Sequence, residues 1–369
     1  MRGPRLRPVV IAAGGTGGHL FPAEALAAVL VARGQRIVLM TDSRSGALDS
    51  PVFAGRERFV LSGAGIAGRG TAKAARAAFS LLAGISQARR ALARLDASAV
   101  VAFGGYPSIP PVLAARTLAR RPRIVLHEQN AVLGRANRFL ARHADALALS
   151  VADTARVPDR VHASVTGNPV RPAIEAIATY AAPSEELHLL VLGGSLGARV
   201  LSDVVPEAVA ALPEALRARL SVVQQCRAED LARVREAYAR VGVTAELATF
   251  FPDVAARLEA AHLVVARAGA STVAELAVAG RPSILVPLPG AIDDHQSANA
   301  RALVHAGGAL AFAQDLLTPA LLASELATLC AMPQRFPRMA EAARALGQPD
   351  AARCLADLID TLISQEAPA

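Results

Sequence analysis

Residues 8–19 read Pro-Val-Val-Ile-Ala-Ala-Gly-Gly-Thr-Gly-Gly-His, and residues 188–198 read His-Leu-Leu-Val-Leu-Gly-Gly-Ser-Leu-Gly-Ala. Each is a short apolar run that breaks into glycines and then enters a helix-like, Ala-rich stretch. A run of this length without polar alternation fits a strand buried on both faces, and such strands belong to parallel sheets covered by helices. The two turns begin at Gly14 and Gly193, close to half the 369-residue chain apart.

The same unit recurs outward from each turn. Residues 36–41 (RIVLMT) form a second apolar run. Residues 99–103 (AVVAF) lead into Gly104-Gly105-Tyr106-Pro107, and residues 123–126 lead into His127-Glu128-Gln129-Asn130. Strands alternating with helices predict an α/β fold with doubly wound parallel sheets. The repeat at half-length predicts two Rossmann-like domains in tandem facing a cleft, residues 1–170 and 171–369. Gly167–Pro172 and the polar stretch near residues 181–186 read as the linker. The final stretch, 350–369, reads as a helix that packs back on the first domain.

Composition bounds the class. The chain is 53% hydrophobic and 19% charged, which is globular and not disordered. No apolar stretch approaches the ~18–20 residues of a membrane-spanning helix. The basic N-terminus runs straight into the first strand, so no signal peptide is expected. Three cysteines, Cys226, Cys330 and Cys354, lack metal-type spacing and point to a reduced, cytoplasmic compartment.

Residues 1–170 carry 23 basic and 9 acidic side chains, whereas residues 171–369 carry 16 and 22. The first domain is therefore expected to face something anionic. Between Arg58 and Arg94 lie seven basic residues and no acidic one. Residues 72–95 read as a helix in which Phe79, Leu82 and Ile85 are bordered by Lys73, Arg76, Arg89 and Arg90. That pattern suits docking on an anionic membrane surface, with an ordinary amphipathic helix packed on the sheet as the alternative. Nucleic acid is disfavoured, because interleaved aromatic stacking residues are missing.

A glycine turn between strand and helix lets backbone amides and the positive helix end approach an anion. Three such turns, Gly14–Gly18, Gly104–Gly105 and Gly193–Gly197, fall at strand carboxyl ends, where open α/β sheets bind ligands. A nicotinamide dinucleotide fits poorly: Asp42 ends the second strand, but the third glycine of G-x-G-x-x-G is absent. Residues 266–275 carry a further turn, in which Ser271 and Thr272 open a helix suited to a pyrophosphate. Glu275 follows one turn on, placed to accept ribose hydroxyls; read alone, it is equally a solvated helix residue.

Taken in order, Gly14-Gly-Thr-Gly-Gly-His19, Gly104-Gly-Tyr-Pro107, His127-Glu-Gln-Asn130, Gly167-Asn-Pro-Val-Arg171, Gly193-Gly-Ser-x-Gly-Ala198, Arg267-Ala-Gly-Ala-x-Thr-x-x-Glu275 and Asp294-His-Gln-x-x-Asn299 resemble one family: the undecaprenyl-pyrophosphoryl-muramyl-pentapeptide N-acetylglucosamine transferases of bacterial peptidoglycan synthesis. The resemblance spans residues 8 to about 350. It implies two Rossmann-like domains of the GT-B glycosyltransferase type and inverting transfer of N-acetylglucosamine from UDP-N-acetylglucosamine. The implied acceptor is the 4-hydroxyl of lipid I, the implied product lipid II, and the implied place the cytoplasmic face of the inner membrane.

By the same resemblance Glu275 holds the ribose and the backbone near Phe251 recognises uracil. Ser195, Arg171 and the turn of Ala270, Ser271 and Thr272 surround the pyrophosphate. Gln296, Asn130 and the turn of Thr16, Gly17 and Gly18 contact sugar and diphosphate; His295 lines the donor site and Tyr106 the acceptor side. Leu196 stands where the family commonly has Gln, which puts one polar donor contact in doubt. No cofactor is implied. Because no Asp-x-Asp occurs in the chain, Arg171, helix ends and turn amides are expected to stabilise departing UDP without an obligatory metal.

His19 is the candidate general base, since imidazole titrates in the right range and a positive helix end favours its neutral form. The alternatives are that His19 only positions a phosphate, or that Glu128 is the base. Two other functions compete: a different two-domain transferase or UDP-sugar epimerase, and a non-catalytic nucleotide- or lipid-binding protein.

Overall fold

The computed structural model describes residues 7–14, 17–43, 50–62, 71–194 and 197–365. Two compact units divide the chain, Met1–Arg171 with Asp350–Ala369, and Pro172–Pro349.

The first unit is built on strands β1 (Val9–Ala12), β2 (Ile37–Thr41), β3 (Arg58–Val60), β4 (Ala99–Ala102), β5 (Arg123–Glu128), β6 (Ala146–Leu149) and β7 (Ala163–Val165), paired in the order β3-β2-β1-β4-β5-β6-β7. All pairs are parallel; β1 is central, with Val9 opposite Ile37 on one side and Ala99 on the other. Every residue of β1, β2, β4 and β6 is buried. That two-sided burial is why these runs lack polar alternation.

Helix α1 (Gly17–Ala32) covers one face with Leu20, Ala23, Leu26, Ala27 and Leu30. Leu355, Ala356 and Ile359 of the helix Ala351–Ser364 complete the same cluster, and Arg33 pairs with Asp357 and Asp360 at 2.7 Å each. Helix α2 (Thr71–Leu95) lies on the opposite core, burying Ala88, Ala91, Leu92 and Leu95. It approaches closely at Gly84, where an added Cβ would lie 2.2 Å from the Ser62 carbonyl oxygen. Gln87 fastens the same contact, accepting from Ser62 N–H at 2.8 Å and donating to Ser62 Oγ at 2.9 Å.

The second unit repeats the plan with β8 (Leu187–Leu192), β9 (Leu220–Gln225), β10 (Thr244–Ala248), β11 (Leu263–Ala266), β12 (Ser283–Leu285) and β13 (Ala309–Ala311), in the order β10-β9-β8-β11-β12-β13. These pairs too are parallel.

In each sheet the winding reverses beside its first strand, between β1 and β4 and between β8 and β11. At such a switch point the connections leave in opposite directions and open a crevice beyond the strand carboxyl ends. The glycine turns after β1, β4, β8 and β11 all fall at these two points.

Candidate active site

In the first unit His19 is the third residue of α1. Its Nδ1 lies 3.3 Å from Oε1 of Gln129, just beyond β5. The ring faces the turn after β4: a Cβ on Gly104 would come 3.7 Å from His19 Cε1, and one on Gly105 3.5 Å from His19 Nε2. Gly104 and Gly105 hold φ of 83° and 69°, a region that side chains disfavour. Tyr106 follows, half-buried at the start of a short 3-10 turn, Tyr106–Ser108.

Behind His19 the polar contacts continue inward. Gln129 Nε2 donates to the Phe103 carbonyl at 2.9 Å and lies 3.3 Å from His127 Nδ1. His127 Nε2 lies 3.0 Å from the Gly167 carbonyl oxygen. Burial pushes the His127 pKa down to about 4, outweighing the Gly167 carbonyl and the Glu128 charge, which raise it.

That depression has a measurable consequence. An unfolded histidine protonates near 6.5, so below that pH the unfolded chain binds a proton the folded chain refuses. Stability therefore falls as pH drops from about 6.5 towards 4, and this group adds no pH dependence above 6.5. The loss reaches about 3 kcal/mol at most. Urea midpoints at pH 7 and pH 4.5 are expected to differ in the native chain and to differ less in His127→Asn.

Glu128 is 2% exposed. Its Oε1 accepts from the Asn130 amide and from Asn130 Nδ2 at 3.0 Å each. Its Oε2 accepts from the Gly134 amide at 2.8 Å and from Asn137 Nδ2 at 2.9 Å. Four donors saturate the carboxylate, so it clamps the loop after β5 and fixes Asn130. This geometry does not suit the general base that sequence offered as an alternative.

Arg171 belongs to this unit; its guanidinium carbon lies 4.9 Å from the Phe21 ring centre on α1. Nearby Glu24 has its pKa raised by burial, opposed by the Ser50 hydroxyl and the Arg171 charge. Of the first glycine turn, Gly17 and Gly18 open α1, and Thr16 lies outside the described residues.

In the second unit Gly193, just after β8, lies close to Gly197 and Ala198. A Cβ on Gly193 would lie 2.5 Å from the Ala198 nitrogen, and the Gly193 amide donates to Gln225 Oε1 at 3.2 Å. Ser195 and Leu196 lie outside the described residues. Across the switch point, β11 runs into the helix Ala270–Ala279, whose N-cap is Gly269. Ala270, Ser271 and Thr272 form its half-buried first turn, and Glu275 is buried one turn later.

Two neighbours hold this turn. Asn299 Nδ2 donates to the Ala268 carbonyl at 3.1 Å. Arg267 donates to the Val286 and Pro287 carbonyls at 3.1 Å each and to Gln314 Oε1 at 2.6 Å. Burial, then the Arg227 charge, lowers the pKa of Arg267. Its position therefore depends on fixed acceptors, not on solvent. Gln296 Oε1 accepts from the Leu288 amide at 2.9 Å, and His295 Nδ1 donates to the Ile292 carbonyl at 2.7 Å. Asp293 and Asp294, with φ of 57° and 51°, form the strained turn that starts the helix His295–His305. Phe251 is buried beneath Arg257, whose guanidinium carbon lies 4.1 Å from the ring centre.

Each unit thus gathers its own set. His19, Gln129 and the Gly104–Gly105 turn meet in the first; Arg267, Asn299 and the start of the helix Ala270–Ala279 meet in the second. Sequence reasoning gave no role to Gln129, quoted only as part of a motif, or to Asn137. Nothing local marks Asn137, because its partner Glu128 lies nine residues back across an irregular loop. Among the described residues, no group of three or more His, Cys, Asp or Glu side chains could hold a metal ion.

On α2, Phe79 is 76% and Leu82 65% exposed, and Arg76, Arg89 and Arg90 are exposed with them. Ile85 differs from expectation: it is half-buried and packs against the core. The reason is helical phase, since Ile85 lies two turns before buried Leu92 and shares its face. The exposed apolar pair is Phe79 and Leu82. The side chain of Lys73 lies outside the described residues. Among the described residues, no helix is long and apolar enough to cross a membrane.

Comparison with known proteins agrees with this architecture. Residues 9–149 match the glycosyltransferase family 28 N-terminal domain, and residues 188–355 match the glycosyltransferase family 28 C-terminal domain. The chain is 60% identical over 358 residues, 96% of its length and 93% of the relative's, to the UDP-N-acetylglucosamine–N-acetylmuramyl-(pentapeptide) pyrophosphoryl-undecaprenol N-acetylglucosamine transferase of Granulibacter bethesdensis. It is 56% identical to the Acidiphilium cryptum protein of the same name, over 99% of both chains. Among solved structures, Acinetobacter baumannii MurG is similar at a TM-score of 0.77 and 31% identity, covering 96% of this chain and 99% of that one. The S. aureus MnaA structure with UDP shares the fold at a TM-score of 0.69 but only 14% identity, over 99% of each chain. The chain therefore belongs to glycosyltransferase family 28, among the N-acetylglucosamine transferases that carry this name.

Proposed function

We propose that the chain transfers N-acetylglucosamine from UDP-N-acetylglucosamine to the 4-hydroxyl of undecaprenyl-pyrophosphoryl-N-acetylmuramyl-pentapeptide, with inversion, forming lipid II and UDP. The observation that carries this reading is the 60% identity, across nearly the whole chain, to a transferase of that name.

In the reaction the acceptor oxygen attacks the anomeric carbon, the bond to the diphosphate breaks, and the hydroxyl proton passes to His19. Arg171, the helix start at Ala270–Thr272 and the glycine-turn amides offset the charge that develops on UDP. Glu275 takes the ribose, and Gln296 and His295 of the second unit contact the sugar. Since these groups supply the electrostatic stabilisation, turnover needs no divalent metal. The test is UDP release from UDP-N-acetylglucosamine in EDTA, with and without a short-chain lipid I analogue. Release that requires the lipid and survives EDTA supports both statements; donor binding with no lipid-dependent release overturns the reaction.

The enzyme works as a peripheral protein on the cytoplasmic face of the inner membrane. What supports this is the pair Phe79 and Leu82 standing exposed beside Arg76, Arg89 and Arg90, as an apolar contact with a basic border requires. Burying a Phe or Leu side chain contributes about 1.5–3 kcal/mol. The double variant Phe79→Ser/Leu82→Ser is therefore expected to bind phosphatidylglycerol-containing vesicles at least about tenfold more weakly in sedimentation, while turning over a water-soluble acceptor at the native rate. Undiminished vesicle binding would refute the assignment.

A further inference from the structure

We infer that Gln129 and His127 are positioning residues that lock His19 in the tautomer protonated on Nδ1, leaving Nε2 as its proton-accepting nitrogen; the catalytic consequence rests on His19 being the base. Main-chain carbonyls only accept hydrogen bonds. Gln129 places one end of its carboxamide 2.9 Å from the Phe103 carbonyl oxygen. That end must be the NH2 group, so the carboxamide orientation is fixed by chemistry.

The opposite end, Oε1, then faces His19 Nδ1 at 3.3 Å. An oxygen there requires a hydrogen on Nδ1, which puts the lone pair of a neutral ring on Nε2. The other side of the carboxamide is fixed by His127. His127 meets the Gly167 carbonyl oxygen through Nε2 at 3.0 Å, so Nε2 carries its hydrogen. Its Nδ1 is thereby the acceptor for the second hydrogen of the Gln129 NH2 group, 3.3 Å away.

Each link therefore has one direction only, and the Gln129 carboxamide is anchored on backbone twice, directly at Phe103 and through His127 at Gly167. Burial keeps His127 neutral, which preserves its acceptor nitrogen at neutral pH. His19 Nε2 is also the atom nearest a Cβ built on Gly105, so the accepting nitrogen lies along the turn after β4. When Nε2 takes a proton the ring becomes an imidazolium whose Nδ1 hydrogen still meets Gln129 Oε1. The lock therefore holds through the proton transfer. Because the partner is a neutral amide and not a carboxylate, it selects tautomer and orientation without adding a charge.

The test is nitrogen NMR of the histidine-labelled full-length chain, with the His19 signals identified by their absence in His19→Ala. Native His19 is expected to show a protonated Nδ1 and a bare Nε2. In Gln129→Leu the ring should shift towards the Nε2-protonated form that imidazole prefers in water. In that variant kcat is expected to fall about tenfold or more, with KM for UDP-N-acetylglucosamine unchanged. A native His19 protonated on Nε2 overturns the lock, and that result does not depend on whether the variant folds. A protonated Nδ1 that persists in a folded Gln129→Leu overturns the role of Gln129. Native kcat in His19→Ala would instead overturn the base assignment and leave the tautomer result standing.

Discussion

Replacing His19 with alanine is expected to lower kcat by about 10²- to 10⁴-fold, the usual contribution of a positioned general base. KM for UDP-N-acetylglucosamine should stay within about threefold, because a group acting on the acceptor's proton contributes little to donor binding. The structure makes this sharper than a count of candidate bases would. His19 stands over the Gly104–Gly105 turn and is held by Gln129, whereas Glu128 is saturated by Asn130, Gly134 and Asn137. Steady-state kinetics with a lipid I analogue check the point. A rise in donor KM with kcat preserved would assign His19 to phosphate binding instead.

The second large effect concerns Glu128. Its removal as Glu128→Ala takes the acceptor away from half-buried Asn130 and Gly134 and from buried Asn137, and a donor left unpaired out of water costs about 1–3 kcal/mol. Some relaxation is expected, so the first unit should lose about 3 kcal/mol or more, read as a lower midpoint in urea. Activity should fall as well, because Asn130 would no longer be fixed. Glu128→Gln should recover little: its NH2 group meets donors on one side of a site that needs acceptors on both. A Glu128→Ala protein as stable as the native chain would show that the clamp contributes nothing. Loss of activity with native stability would return Glu128 to the list of catalytic groups.

The pattern of strands and turns was legible in the sequence for a simple reason. A strand buried on both faces has to be apolar throughout, and a strand-to-helix turn that approaches a ligand has to be glycine, so both leave local marks. That is why β1, β4, β8 and β11 and the turns that follow them could be placed without coordinates. Helical phase was less secure. The spacing put Ile85 beside Phe79 and Leu82, but a helix on a sheet has a buried face whose limits depend on what it packs against. Ile85 falls on the buried face, in phase with Leu92.

What the sequence determined by itself was the doubled α/β plan, the basic first half and the order of motifs that marks the family. Each is carried by residue type and spacing along one strand, turn or helix. Tertiary structure alone decided how the chemistry-bearing residues are used. Gln129 meets His19 across 110 residues and Phe103 across 26, and His127 meets Gly167 across 40. Such contacts depend on the β1-β4-β5 strand order and on the switch point between β1 and β4. Sequence spacing shows which groups are present; only the sheet order sets which of them a carbonyl, a carboxamide and an imidazole can bring within hydrogen-bond distance.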